Sequence, residues 1–197
     1  MSHSGMRHSR AALIISLVVA VAAMLPACGK KKSGRGGTDT NVSVPKGDPP
    51  FTVLTDSWVV DNAGVMEPDV IQEAHRICQK LQDDGIAEVV VLIQDGVKHP
   101  SDYATHYGRW LGLGKKGLST EGGNNGLVWL IRPDADEKMT YSIGRGLPKL
   151  TSGHMVDIMN AAKEYLNFNN YDTGVLELVR RTDEQLRSLY AKKGAGQ

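Results

Sequence analysis

The chain has 197 residues, 41% of them hydrophobic, with 23 Lys and Arg against 22 Asp and Glu for a formal net charge of +1. That length suits one domain with a sizeable core plus terminal extensions, and its two cysteines are too few for a disulfide scaffold. The charge is unevenly placed: residues 53–191 hold 14 Lys and Arg against 20 Asp and Glu, a balance of −6, so the part with folding periodicity lacks the cationic surface that nucleic acid requires.

At the N-terminus, Arg7 and Arg10 precede an apolar run of 15 residues from Ala11 to Leu25, short for a membrane span and suited to a secretory signal. The run ends in Leu25-Pro26-Ala27-Cys28, which resembles the lipobox of bacterial lipoproteins, although proline at its second position is unusual. Residues 1–27 are therefore expected to be a lipoprotein signal peptide and Cys28 to carry lipid; the alternative is an ordinary signal peptide with Cys28 incidental. Residues 28–52, rich in Gly, Ser, Thr, Lys and Pro, read as the lipidated cysteine and a flexible tether. A coil of 24 residues after Cys28 would reach on the order of 25–30 Å. Lys30, Lys31, Lys32 and Arg35 would be drawn to anionic head groups by about 1 kcal/mol each, or would simply be solvated.

The domain is expected over 53–191, with a polar tail at 192–197. Ser57-Trp58-Val59-Val60 is a short extended run leading into Asp61-Asn62-Ala63-Gly64. Pro68 suits the first turn of a helix whose apolar stripe, Ile71, Ala74, Ile77, Cys78 and Leu81, runs to a stop at Asp83-Asp84-Gly85. Cys78 on that stripe reads as a core residue. Glu88-Val89-Val90-Val91-Leu92-Ile93 reads as a buried strand, ended by Gln94-Asp95-Gly96. A second helix starts near Ser101, with Tyr103, Ala104, Tyr107, Trp110 and Leu111 on one face, and ends in the glycines after Leu111.

The segment from Gly122 to Gly146 reads as a hairpin. Leu127-Val128-Trp129-Leu130-Ile131 is apolar throughout, as in a strand covered on both faces, whereas Met139, Tyr141 and Ile143 alternate with Thr140 and Ser142, as nearer an edge. A strand, a crossover helix and a strand give two parallel neighbours, and the hairpin adds an antiparallel one. Helices about 153–166 and 173–191 follow, with Met155, Ile158, Met159, Ala162, Tyr165 and Leu166, then Val175, Leu176, Val179, Leu186 and Leu189, inward. The polar Ala191-Lys192-Lys193-Gly194 offers no membrane span, which leaves Cys28 as the expected anchor.

No nucleophile elbow, phosphate loop or histidine pair at metal-binding spacing is legible; His75, His99, His106 and His154 are scattered. Antiparallel pairing puts Asn124 and Asn125 beside Gly144, Arg145 and Gly146. Asp61 is expected to join them, either as a ligand or acid/base carboxylate or as the acceptor of a turn. Arg145 would then pair with Asp61 or hold an anion. Asp95, Asp134 and Asp136 are placed at the opposite end, as a solvated acidic tip.

With these elements in place, four motifs carry a resemblance to the TPM domain family, whose members include thylakoid-lumen and photosystem II repair proteins and bacterial envelope proteins. They are Val59-Val60-Asp61-Asn62-Ala63-Gly64-Val65-Met66, Asn124-Asn125-Gly126-Leu127-Val128-Trp129-Leu130, Ile143-Gly144-Arg145-Gly146-Leu147 and Tyr171-Asp172-Thr173-Gly174. The resemblance implies a three-layer α/β/α sandwich around a small, four-stranded mixed sheet, in an extracytoplasmic domain. Calcium binding and weak acid phosphatase activity are described in some members. Two departures remove carboxylates, since Pro148 and Ser152 stand where the family commonly has Glu and Asp. Calcium held by Asp61, Asn124 and Asn125 would therefore be weak, in the roughly 10⁻⁴–10⁻³ M regime of extracellular modules. The expected function is a lipid-anchored accessory module that binds an unidentified envelope or membrane protein, held in the cell envelope through Cys28. The alternative is a metal-dependent, phosphatase-like hydrolase of low activity with Asp61 as its catalytic carboxylate.

Overall fold

The computed structural model describes residues 57–114 and 123–191. The signal peptide, Cys28, the tether and the polar tail lie outside the described residues. Each apolar run read within the described residues has become a strand or a helix. The strands are β1 (Val59–Asp61), β2 (Glu88–Ile93), β3 (Gly126–Ile131) and β4 (Met139–Ile143), and the helices are α1 (Pro68–Asp83), α2 (Pro100–Leu111), α3 (Ser152–Asn167) and α4 (Tyr171–Tyr190). Among the described residues no helix is long and apolar enough to cross a membrane.

The sheet runs β1-β2-β3-β4, with β1, β2 and β3 parallel and β4 antiparallel at the edge. Alternation along β2 and β3 divides their side chains between two cores, which is why both runs are apolar at nearly every position. Val89, Val91, Ile93, Leu127, Trp129 and Ile131 meet α1, α3 and α4 on one face, while Val90, Leu92, Val128 and Leu130 meet Ala104 and Tyr107 of α2 on the other. This is the α/β/α sandwich around a four-stranded mixed sheet. Trp129 and Leu130 are both fully buried.

Polar groups fix how the layers sit. Trp58, just ahead of β1, donates its backbone N–H to Nδ1 of His75 at 3.2 Å and its indole N–H to Oε1 of Gln79 at 2.8 Å, one turn further along α1. Glu67, ahead of α1, donates its N–H to the Asp172 carboxylate in the first turn of α4 at 2.9 Å. At the other end of α4, the hydroxyl of Tyr190 accepts the backbone N–H groups of Lys149 at 2.6 Å and Leu150 at 3.2 Å. Thr151 caps α3 by a reciprocal exchange in which its N–H donates to Nδ1 of His154.

Candidate functional site

The antiparallel hairpin brings Asn124 and Asn125 against Gly144-Arg145-Gly146, as the sequence predicts. Gly144 donates its N–H to Gly126 O at 2.7 Å and Gly146 donates to Asn124 O at 3.0 Å. Asn124 makes the bend with φ 49°, a left-handed conformation that asparagine tolerates better than most residues. The two segments touch backbone to backbone: a Cβ on Gly144 would lie 2.0 Å from Asn124 O, and one on Gly146 only 1.6 Å from Gly123 O. No side chain fits at either position, which explains the Gly-x-Gly spacing.

Asn125 is 3% exposed and works inward, its Nδ2 donating to Ile86 O at 3.1 Å and its carbonyl accepting the N–H of Glu88 at 3.1 Å. Glu88 is the residue of this end that the sequence reading missed. Its Oε2 accepts the N–H of Gly114 at 2.7 Å, tying the chain after α2 to the start of β2. As the single charged residue opening an apolar strand, it was the available signal. Arg145 is exposed on the turn between the glycines. Beside it a cavity of about 40 Å³ is lined by Arg109, Leu113, Asn124, Ser142 and Gly144 among others. Under it, Ser142 and Thr105, both buried, share a hydroxyl contact at 3.1 Å, and Thr105 also donates to Ser101 O.

Asp61 does not join this cluster. Because β1 runs parallel to β2 and β3, Asp61 pairs in register with Ile93, which in turn pairs with Ile131. It therefore sits at the far end of the sheet from Asn124 and Asn125, which precede β3. The expected convergence of Asp61, Asn124, Asn125 and Arg145 is corrected accordingly, as is the Asp61–Arg145 ion pair. At its actual position the Asp61 carboxylate is ringed by the loop that follows it. Oδ1 accepts the N–H groups of Ala63 at 3.2 Å and Gly64 at 2.9 Å, and Oδ2 those of Val65 at 2.8 Å and Met66 at 2.9 Å. These four bonds are those of a turn acceptor.

The hairpin tip thus lies at Asp61's end of the sheet. Asp134 accepts the N–H of Gly96 at 2.8 Å, and Lys138 donates to Pro133 O, so the tip is organised by its own contacts. Arg132, only 8% exposed, donates to Glu137 O, and its Nε has no partner among the described residues. Asn62 donates to the Gln94 side chain at 2.7 Å. Among the described residues no three His, Cys, Asp or Glu side chains are grouped to hold a metal ion. Cys78 is fully buried, and burial, with the charge of Asp183 adding, pushes its thiol up to about 12, which leaves it inert at neutral pH.

A calcium ion takes 6–8 oxygen ligands, several of them charged. The three residues expected to hold one are split between opposite ends of the sheet, and Asp61's oxygens face four N–H donors. The described donor set does not fit the ion that the family resemblance implies.

Comparison with known proteins agrees with the fold. The TPM domain family matches residues 59–185. The solution NMR structure of the N-terminal domain of the cg2496 protein from Corynebacterium glutamicum superposes with a TM-score of 0.54 at 15% identity, covering 78% of this chain and 92% of that one. That of the N-terminal domain of a protein from P. gingivalis gives 0.56 at 21% identity, covering 68% and 84%. At these identities the likeness speaks for the fold. No curated protein sequence matches the chain. With the family matched over most of the described residues, this chain belongs to the TPM domain family.

Proposed function

We propose that the chain is a lipid-anchored, extracytoplasmic TPM domain that binds and assists a protein of the cell envelope or its membrane. The observation that carries this reading over hydrolysis is the ring of four main-chain N–H donors around Asp61. A catalytic carboxylate must be free to hold a metal or move a proton, whereas this one organises its own loop. A contact surface is supported by Phe168, 78% exposed just past α3, with Tyr165 one turn earlier 40% exposed, which corrects its expected inward placement. Aromatic side chains of this kind anchor protein interfaces. The anchoring part rests on the sequence from Arg7 to Cys28.

Mass spectrometry of the mature protein recovered from membranes tests the anchor. Lipid on an N-terminal Cys28 is expected, and an unmodified N-terminus elsewhere refutes it. A photo-crosslinker at Phe168 should give a discrete protein adduct in membranes that the same group at exposed Gln72 does not. For the hydrolase, the assay is turnover of a generic phosphate ester by the purified chain. Turnover that disappears in an Asp61→Asn variant still melting cooperatively would reinstate that reading.

A further inference from the structure

We propose that the sheet end built from Gly114, Asn124, Gly144 and Gly146 is closed by the protein's own groups and takes no calcium ion, in contrast to what the family resemblance implies. An ion at this position would have to draw together three backbone segments: the chain after α2, the turn before β3 and the turn after β4. Four hydrogen bonds already do so by way of the start of β2, where Glu88 donates its N–H to Asn125 O at 3.1 Å. Gly114 donates to the Glu88 carboxylate at 2.7 Å, Gly144 to Gly126 O at 2.7 Å and Gly146 to Asn124 O at 3.0 Å.

The same bonds each take up one acceptor position on an oxygen that a cation would want. One oxygen of Glu88 and the carbonyls of Asn124 and Gly126 each accept an N–H, and the carbonyl of Asn125 accepts that of Glu88. The Asn124 side-chain oxygen lies 2.8 Å from where a Cβ on Gly144 would stand, so it is packed against the opposing turn. Against the 6–8 oxygens that calcium requires, the second oxygen of Glu88 is, among the described residues, the one carboxylate oxygen of this cluster for which these contacts do not account. Charge opposes the ion as well. Arg145 is exposed between the two glycines, and neither Pro148 nor Ser152, which follow it, brings a carboxylate. A positive charge close by disfavours a divalent cation for the same reason that it favours an ionised carboxylate.

The test is a titration of the full chain with calcium chloride, following the backbone amide resonances of Gly114, Asn124, Gly144 and Gly146, alongside hydrogen exchange at Gly114. These four resonances are expected to stay in place through millimolar calcium, and exchange at Gly114 is expected to be equally slow in calcium and in EDTA. Glu88→Gln, which keeps an acceptor oxygen, should preserve that protection, and Glu88→Ala should lose it with or without calcium. Saturable movement of the four amides in calcium, or protection at Gly114 that EDTA removes from the wild-type chain, overturns the proposal.

Discussion

The indole N–H of Trp129, on the central strand β3, donates to the hydroxyl of Thr182 on α4 at 3.1 Å, and that hydroxyl in turn donates to Leu178 O at 2.7 Å. Both residues are fully buried, so the indole has no water to turn to. Thr182→Val keeps the shape and removes the acceptor, and it should cost about 1–3 kcal/mol, the desolvation cost of a buried unpaired donor. Chemical denaturation of the two proteins measures the difference, and a change under a few tenths of a kcal/mol would mean that the indole finds another acceptor.

Leu130, next along the same strand, points to the opposite face and packs in the smaller core with Val90, Leu92, Val128 and α2. Leu130→Ala should cost roughly 2–5 kcal/mol, through lost transfer energy and the cavity left behind. A melting temperature within a degree or two of wild type would show that α2 can collapse onto the gap.

Asp84, just past α1, accepts a hydrogen bond from Arg187 of α4, and this bond, helped by the charges of Lys80 and Arg187, holds its carboxyl below the usual carboxylate range. A lowered native pKa means that the link contributes its stability above the unfolded-state pKa, about 3.9 for Asp, and loses it as pH falls through the native value. The stability gap between wild type and Arg187→Gln should therefore narrow in acid. It should also shrink in high salt, because the pair is exposed enough to be screened. Titration of the Asp84 carboxyl by NMR should show it rising in the variant.

Burial raises the Cys78 thiol to about 12, so near pH 8 the thiolate that reacts with alkylating agents is almost absent in the folded protein. Iodoacetamide should leave Cys78 unmodified in the native chain and label it fully in denaturant, as read by mass spectrometry. Rapid native labelling would indicate local opening of α1.

Apolar pattern was enough to read the sandwich. Leu127–Ile131 and Val89–Ile93 have no polar face, so each had to lie between two layers, and the turn at Arg132–Glu137 could join β3 only to an antiparallel neighbour. The same rule correctly set Asn124 against Gly144 and Gly146. It had no authority over Asp61, whose position depends on the direction of β1. The crossover through α1 makes β1 parallel to β2, by the reasoning that already made β2 and β3 parallel, and applying it there would have sent Asp61 to the other end. Glu88 was harder to see: a charge opening an apolar strand signals a polar role, but its partner Gly114 is 26 residues away and the signal does not say which turn it would hold. The burial of Arg132 behind an acidic hairpin tip was likewise invisible to composition, which reads such a tip as solvated.

The bond between Tyr190 and the Lys149–Leu150 turn also bears on the order in which the molecule can finish folding. That turn follows directly on Gly146, yet its acceptor lies in the last turn of the last helix. As the chain emerges from a ribosome or a translocation pore, every strand is available before Tyr190 appears. The sheet can therefore pair while the turn leading into α3 is still unpinned, and only the arrival of the C-terminal helix closes it. A nascent chain arrested before Tyr190 would hold a complete set of strands with its Lys149–Leu150 turn still open to proteases.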